Sequence, residues 1–256
     1  MTASPVPTRT DDFLGGRLRL TQPAHGYRAG ADAVMLAAAC AAAPGQSVLE
    51  LGCGAGAALL CLGVRVPGLT LAGIERDPLA ANLARANADA AGLAAHIVTG
   101  DLSRLPPGVA ATSVDHVIAN PPFFATGTRA PDAYRAGARH EETPLADWID
   151  TGLRRLRPRG WLTVIHRAER LGDLLDALSG RAGDVAILPV APRAGAAAGR
   201  VIVAARKGAR GPLRLLAPFV MHANARHLHD GEDLTPEAQA VLRGGAALDL
   251  KPPERR

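Results

Sequence analysis

Ser47-Val48-Leu49-Glu50-Leu51-Gly52-Cys53-Gly54-Ala55-Gly56-Ala57 is the stretch whose reading decides the fold. Five β-prone residues run into three glycines separated by single small residues. Glycines at a strand end permit a tight turn and let a ligand approach the backbone closely. Ala57–Val66 then reads as a helix closed by Pro67-Gly68, so the unit is strand, glycine turn, helix.

The same rhythm continues on the C-terminal side. Leu69–Glu75 reads as a strand, and Asp77-Pro78 opens a helix with a capping acid and a proline at its first position. His96–Thr99 and Val114–Ala119 are further strands; Leu145–Leu156 is a helix, Gly160–His166 a strand and Ala168–Ser179 a helix. Strands alternating with helices imply parallel crossovers in a doubly wound α/β sheet. Asp184–Pro189 and Arg200–Ala205 have only a Gly/Ala loop between them, which makes them an antiparallel pair at the sheet edge. The expected architecture is a seven-stranded, mostly parallel sheet with that antiparallel edge hairpin. Residues 1–43 are expected as an N-terminal extension: a loose terminus to Asp12, a hairpin or strand near Arg17–Leu20, and an Ala-rich helix. Residues 44–256 form the main domain. In the tail, Leu213–Met221 is strand-like and a helix starts at Thr235-Pro236-Glu237.

Composition limits the rest. The chain has 256 residues, 48% hydrophobic and 21% charged, enough apolar material for a real core and too much for disorder. Aromatics are 3%, so the core must be Ala, Val and Leu. No apolar run reaches membrane-spanning length, and the polar start has no signal-like apolar stretch. Cys40, Cys53 and Cys61 suggest neither a disulfide framework nor a zinc site. A cytoplasmic enzyme without a metal is the expectation. The formal charge of +5 is nearly all arginine, with Lys207 and Lys251 the only lysines. A GC-rich genome inflates arginine too, but its planar fork also suits phosphate and bases, so an RNA partner met through an Arg-rich surface fits the charge.

Three motifs carry chemistry. Gly52-x-Gly54-x-x-Ala57 also satisfies a dinucleotide fingerprint, leaving an NAD-binding protein as one reading. Glu50, directly before the glycines, would repel a pyrophosphate and suits a cationic amino-acid group, which favours S-adenosylmethionine. Glu75, at the next strand's end, suits a ribose diol, and Asp101 an adenine amine. Asn120-Pro121-Pro122-Phe123 closes the fourth strand of the main domain, where ligands of such sheets bind. Two acceptors there, the Asn120 amide oxygen and the Pro121 carbonyl, can take the two N–H bonds of an exocyclic base amine and free its lone pair. The prolines fix their direction, and Phe123 offers a face for the base.

The order and spacing of these motifs resemble the class I S-adenosylmethionine-dependent methyltransferases of the N-P-P-[FYW] amino-methylating branch. His25–Ala37 and the ending Leu234-Thr235-Pro236-Glu237-Ala238 with Leu242-Arg243-Gly244-Gly245 resemble the tRNA1(Val) (adenine-37-N6)-methyltransferase family, the likeness covering roughly residues 13 to 250. It implies a Rossmann-like fold and N6 methylation of an RNA adenine, a tRNA anticodon-loop adenosine. It also implies that Glu50, Gly52, Gly54, Gly56, Glu75, Asp101 and Asn120 line the cofactor cleft, with Tyr27, Arg28 and Asp32 beside it. Ala31 departs from the threonine common in relatives. The same tetrapeptide serves guanine-N2 methyltransferases of ribosomal RNA and glutamine methyltransferases of release factors. The long segment Phe123–Glu142 carries Arg129, Arg135 and Arg139, candidates for phosphate contact. Arg154, Arg155, Arg157 and Arg159 suit a helix C-terminus or phosphate equally. His222, His227 and His229 read as solvated loop histidines.

Overall fold

The structure is a computed structural model that describes residues 7–26, 28–122, 143–224 and 233–250. Its centre is a nine-stranded sheet. Five parallel strands run from its middle to one edge: β3 (Ser47–Leu51), β4 (Thr70–Glu75), β5 (Ala95–Thr99), β6 (Val114–Ala119) and β7 (Leu156–Arg167). β9 (Arg200–Lys207) inserts antiparallel between β7 and β8 (Ala182–Arg193). All seven expected strands are present, in the order β8-β9-β7-β6-β3-β4-β5. The tail adds two more. β10 (Arg214–Leu215) and β11 (Phe219–His222) lie one after the other along the outer side of β8, parallel to it, and cover an edge that would otherwise be open to pairing.

Helices cover both faces, as parallel strands buried on two sides require. One face carries α1 (Ala31–Ala39), α2 (Ala57–Arg65) and α3 (Pro78–Ala90), whose apolar residues share one core with Phe13, Leu18 and Leu20. The other carries α4 (Pro107–Ala110), α5 (Leu145–Arg155) and α6 (Leu171–Leu178). α5 buries Leu145, Trp148, Ile149, Gly152 and Leu153, the stripe a 3.6-residue period places on one side. The Asp77 side chain accepts from Leu79 N–H at 2.8 Å with Pro78 in the first turn, a cap worth about 1 kcal/mol. Thr235 caps α7 (Pro236–Leu242) in the same manner. No helix among the described residues is long and apolar enough to cross a membrane.

The N-terminus corrects one expectation. Thr8–Phe13 is not loose but a strand, β1, paired antiparallel with β2 (Leu18–Pro23). Polar TRTDDF carries little strand signal of its own; it is ordered by pairing with β2, whose Leu18 and Leu20 are buried.

Candidate functional site

Parallel strands deliver their carboxyl ends to one edge, and the turns there make the site. Ala119 of β6 pairs with Leu51 of β3, so Asn120 and Gly52 leave the sheet side by side. Gly52 and Gly54 take φ of 64° and 55°, a region only glycine enters freely. At Gly52 a Cβ would also stand 2.5 Å from Cη2 of Trp148. At Gly54 a Cβ would meet nothing within 4 Å among the described residues, so they leave open space over the loop there. Gly56, also left-handed, caps α2.

Two acids hold this loop from behind. Glu50 is buried, and its Oε2 accepts from Leu59 N–H in the first turn of α2 at 2.8 Å. Burial pushes its carboxyl well above the ordinary range; the Leu59 bond opposes that, and nearby Glu75 adds to it. Glu75 accepts from Gly54 N–H through Oε2 and from Asp77 N–H through Oε1, both at 2.8 Å. An ionised carboxylate has about four lone-pair positions, so Glu75 keeps capacity for two hydroxyls. These bonds discriminate between ligands. A dinucleotide site directs its loop and helix N–H groups at a pyrophosphate, whereas here two carboxylates take those of Gly54 and Leu59. The loop therefore suits a ligand with cationic character, as S-adenosylmethionine has, and its left-handed glycines, the open space over Gly54 and the lone pairs of Glu75 fit that cofactor.

The other expected residues lie around this centre. Gly100 N–H donates to Glu75 O at 2.9 Å, which brings Asp101 to the same edge. Asp101 Oδ1 accepts from the backbone and hydroxyl of Ser103, each at 2.8 Å, and these bonds lower its carboxyl below the usual value. The Asn120 side-chain oxygen is buried, Pro121 is buried and Pro122 half-buried. Arg28 and Asp32 are engaged in ion pairs, with Asp11 at 2.9 Å and with Arg200 at 3.0 Å. Tyr27, Phe123, Arg129, Arg135, Arg139, His227 and His229 lie outside the described residues. His222 Nδ1 stands 2.8 Å from Asp233. Cys53 tucks under the loop against Gly73, and burial raises its thiol well above the usual value, which makes it unreactive.

Two residues of this site escaped sequence reasoning. Trp148 of α5 packs its ring on Gly52. Asn87 of α3, buried, is the joint between the N-terminal hairpin and the glycine loop. Its Oδ1 accepts from Thr21 N–H at 2.8 Å, and its Nδ2 donates to Thr21 O and Ala55 O at 2.9 Å. Gln22 completes the joint by bonding both backbone groups of Ala29. The sequence holds one clue: Asn87 falls in phase with buried Ala81, Ala84 and Ala88, where a polar residue needs partners.

Known proteins agree with this geometry. Residues 30–181 match the family model of the methyltransferase small domain. A tRNA1(Val) (adenine(37)-N6)-methyltransferase of Porphyromonas gingivalis is 39% identical over 174 residues, 64% of this chain and 68% of that protein. One of Dickeya chrysanthemi is 29% identical over 221 residues, 82% and 84% of the two chains. Among solved structures, a protein described as a predicted O-methyltransferase of Agrobacterium tumefaciens superposes with a TM-score of 0.70 at 27% identity, over 85% of this chain and 98% of that one. A Thermus thermophilus 16S rRNA N2 G1207 methyltransferase in complex with AdoMet and guanosine shares the fold at TM-score 0.52 and 20% identity, over 81% and 53%. With a glycine loop backed by two carboxylates and an Asn-Pro-Pro turn beside it, the chain belongs to the methyltransferase small domain family.

Proposed function

We propose that this methyltransferase acts on the exocyclic N6 of an adenine in RNA, a tRNA anticodon-loop adenosine. The observation that carries the reading is the emergence of Asn120-Pro121-Pro122 directly beside Gly52, in a chain 39% identical to a protein named for that reaction. S-adenosylmethionine is the methyl donor and supplies, when bound, an electrophilic carbon on a positively charged sulfur. The protein's residues do the rest. Gly52, Gly54 and Gly56 give the cofactor a close approach to the backbone, and Glu75 takes the ribose hydroxyls with its remaining lone pairs. Glu50 holds the first turn of α2 behind the loop through Leu59 N–H, and Asp101 reads the adenine edge. The hairpin Thr8–Pro23, tied on by Asn87, belongs to the substrate and cofactor side of the molecule.

At the amine the barrier is electronic, because the nitrogen lone pair is delocalised into the ring. Asn120 Oδ1 and the Pro121 carbonyl each accept one N–H, so the nitrogen turns pyramidal and its lone pair becomes available. This interaction strengthens toward the transition state, where it accelerates the step. A C–N bond would form as the methyl–sulfur bond breaks, the sulfur leaving as a neutral thioether and one amine proton passing to solvent. Phe123 stacks on the base, which costs least to extrude from single-stranded RNA.

The test combines nucleoside analysis with kinetics. Purified protein, S-adenosylmethionine and tRNA should yield N6-methyladenosine. Asn120→Ala should lower kcat on the order of 10²-fold, by analogy with a lost oxyanion donor, with a smaller change in cofactor affinity. A variant retaining kcat within about threefold of wild type would remove amine activation by Asn120. Methylation appearing on guanine N2 instead would move the reading to the rival base.

A further inference from the structure

The opposite edge of the sheet, where the parallel strands begin, carries none of the site described above, yet it gathers a dense cluster of positive charge. α5 ends there with Arg154 and Arg155, and β7 starts there with Arg157 and Arg159. β9 ends there with Arg206 and Lys207, which pair with Gly183 and Ala182 next to Arg181. Arg210 follows on the same flank, beside Gly183. Eight cations thus meet four carboxylates among the described residues: Asp115, Asp150, Asp176 and Asp184. The pairings leave an excess. Asp150 is shared by Arg154 at 2.9 Å and Arg181 at 2.7 Å; Asp115 takes Arg157 at 2.7 Å, and Asp184 stands 3.9 Å from Arg206. Arg154, Arg157, Arg159, Arg181 and Arg210 are exposed. Arg159 even occupies a left-handed position, φ 66°, which favours glycine or asparagine.

Such crowding is unfavourable without a partner. Lys207 registers it: burial lowers its ammonium first, and the charges of Arg155 and Arg181 lower it further. The dipole of α5 accounts for cations in its last turn, Arg154 and Arg155. It does not account for those on β7, on β9 and around β8. A surface that concentrates arginine forks beyond its own acids fits a polyanion.

We infer that this amino-terminal edge of the sheet is a second RNA-docking surface, which takes phosphates of the tRNA body while the anticodon loop occupies the carboxyl-terminal edge. The inference rests on the RNA reading above. The eight residues of β9 run from one edge to the other, roughly 23 Å at about 3.3 Å per residue, so the two contacts engage different parts of one RNA.

The experiment uses full-length protein with Arg154, Arg159 and Arg210 replaced together by Gln. Filter binding of full-length tRNA and of an isolated anticodon hairpin is measured across salt, with S-adenosylmethionine titration as the control for an intact fold. The surface predicts a loss of tRNA affinity of about tenfold or more and a log–log salt slope smaller by about 2, with hairpin affinity and cofactor affinity unchanged. A variant that binds tRNA with wild-type affinity and slope overturns the surface while leaving the methylation reading standing. An equal loss on the hairpin overturns it too, since the effect would then not belong to the tRNA body. Wild-type protein that binds no tRNA overturns both readings together.

Discussion

The two edges of the sheet use arginine in opposite ways. At the carboxyl-terminal edge Arg28 pairs with Asp11, Arg167 with Glu169, Arg170 with Asp173, Arg193 with Asp233 and Arg200 with Asp32. Each of these arginines has an acid, Asp11 taking Arg9 as well, and the pairs hold segments in place: the Arg200–Asp32 pair joins β9 to the first turn of α1. At the amino-terminal edge two arginines share Asp150, and cations outnumber acids. Matched pairs make geometry, while unmatched cations make potential. A net charge read from the sequence mixes the two, which is why +5 said little about where an anionic partner binds.

The largest effects belong to the carboxyl-terminal edge, where structure is tight. Gly52→Ala meets two costs: a left-handed backbone at about 1–2 kcal/mol and overpacking against Trp148 at about 1–3 kcal/mol. We expect S-adenosylmethionine affinity to fall on the order of 10²-fold by calorimetric titration. Adding Trp148→Leu should restore part of that loss, because it removes the collision and leaves the backbone cost. No recovery would mean that Trp148 has no part in setting the loop.

Asn87→Leu comes next. It leaves Thr21 N–H, Thr21 O and Ala55 O without their side-chain partner, at about 1–3 kcal/mol for each group that stays buried. Thermal unfolding should shift down by several degrees, and residues 8–30 should become more sensitive to protease in the folded protein. By contrast, Arg154→Gln on the other edge should change stability by less than about 0.5 kcal/mol, as exposed ion pairs do. If Asn87→Leu were as mild as Arg154→Gln, the hairpin would be held by its apolar contacts alone.

Glu50 gives a smaller, pH-dependent effect. Its folded-state carboxyl lies above the ordinary value, so over the interval between the two the folded protein keeps a proton that the unfolded chain has lost. Stability is therefore full below the ordinary carboxylate value and falls as pH rises from it toward the raised one. Glu50→Gln should flatten this slope in chemical denaturation curves from pH 4 to 7 and stabilise the neutral protein, since glutamine can still accept from Leu59 N–H. The same variant should bind S-adenosylmethionine with wild-type affinity over that interval, since the folded carboxyl is already neutral there. Binding about tenfold weaker, about 1.4 kcal/mol, would show that Glu50 is ionised when the cofactor binds.

What the sequence revealed follows locality. The strand–glycine–helix unit at 47–65, the Asp77-Pro78 cap and the alternation after it are set by residues near one another; β3, α2 and α3 appear within a residue or two, while β7 starts four residues before and β8 ends four residues beyond the pattern. The strand Thr8–Phe13 owes its existence to a distant partner, and nothing local announces it; the strand signal at 213–221 is local, but its division into 214–215 and 219–222 is set by pairing with β8. The site divides the same way. Glu50, the glycines, Glu75 and Asn120 stand at strand ends that the pattern locates. Asn87 and Trp148 matter because the fold brings α3 to Thr21 and α5 to Gly52, pairings 66 and 96 positions apart that no short-range pattern encodes. For the cations of the amino-terminal edge the residues were visible; their gathering from α5, β7, β8 and β9 was not.

The smallest effect is also the most direct reading of that gathering. Lys207 and Lys251 are the only lysines in the chain, so side-chain amine resonances are few, and Lys251→Arg assigns them. Lys207 should titrate below the ordinary lysine value, because burial and the charges of Arg155 and Arg181 all disfavour its ammonium. Arg181→Gln removes one repelling charge and should move the midpoint up. Bound tRNA should move it the same way, since phosphates near this edge favour the charged form. Both shifts are small, but they have a common sign only if the cations form one field and RNA enters it. A midpoint that rises in Arg181→Gln yet stays fixed on saturation with tRNA would confine the RNA to the carboxyl-terminal edge.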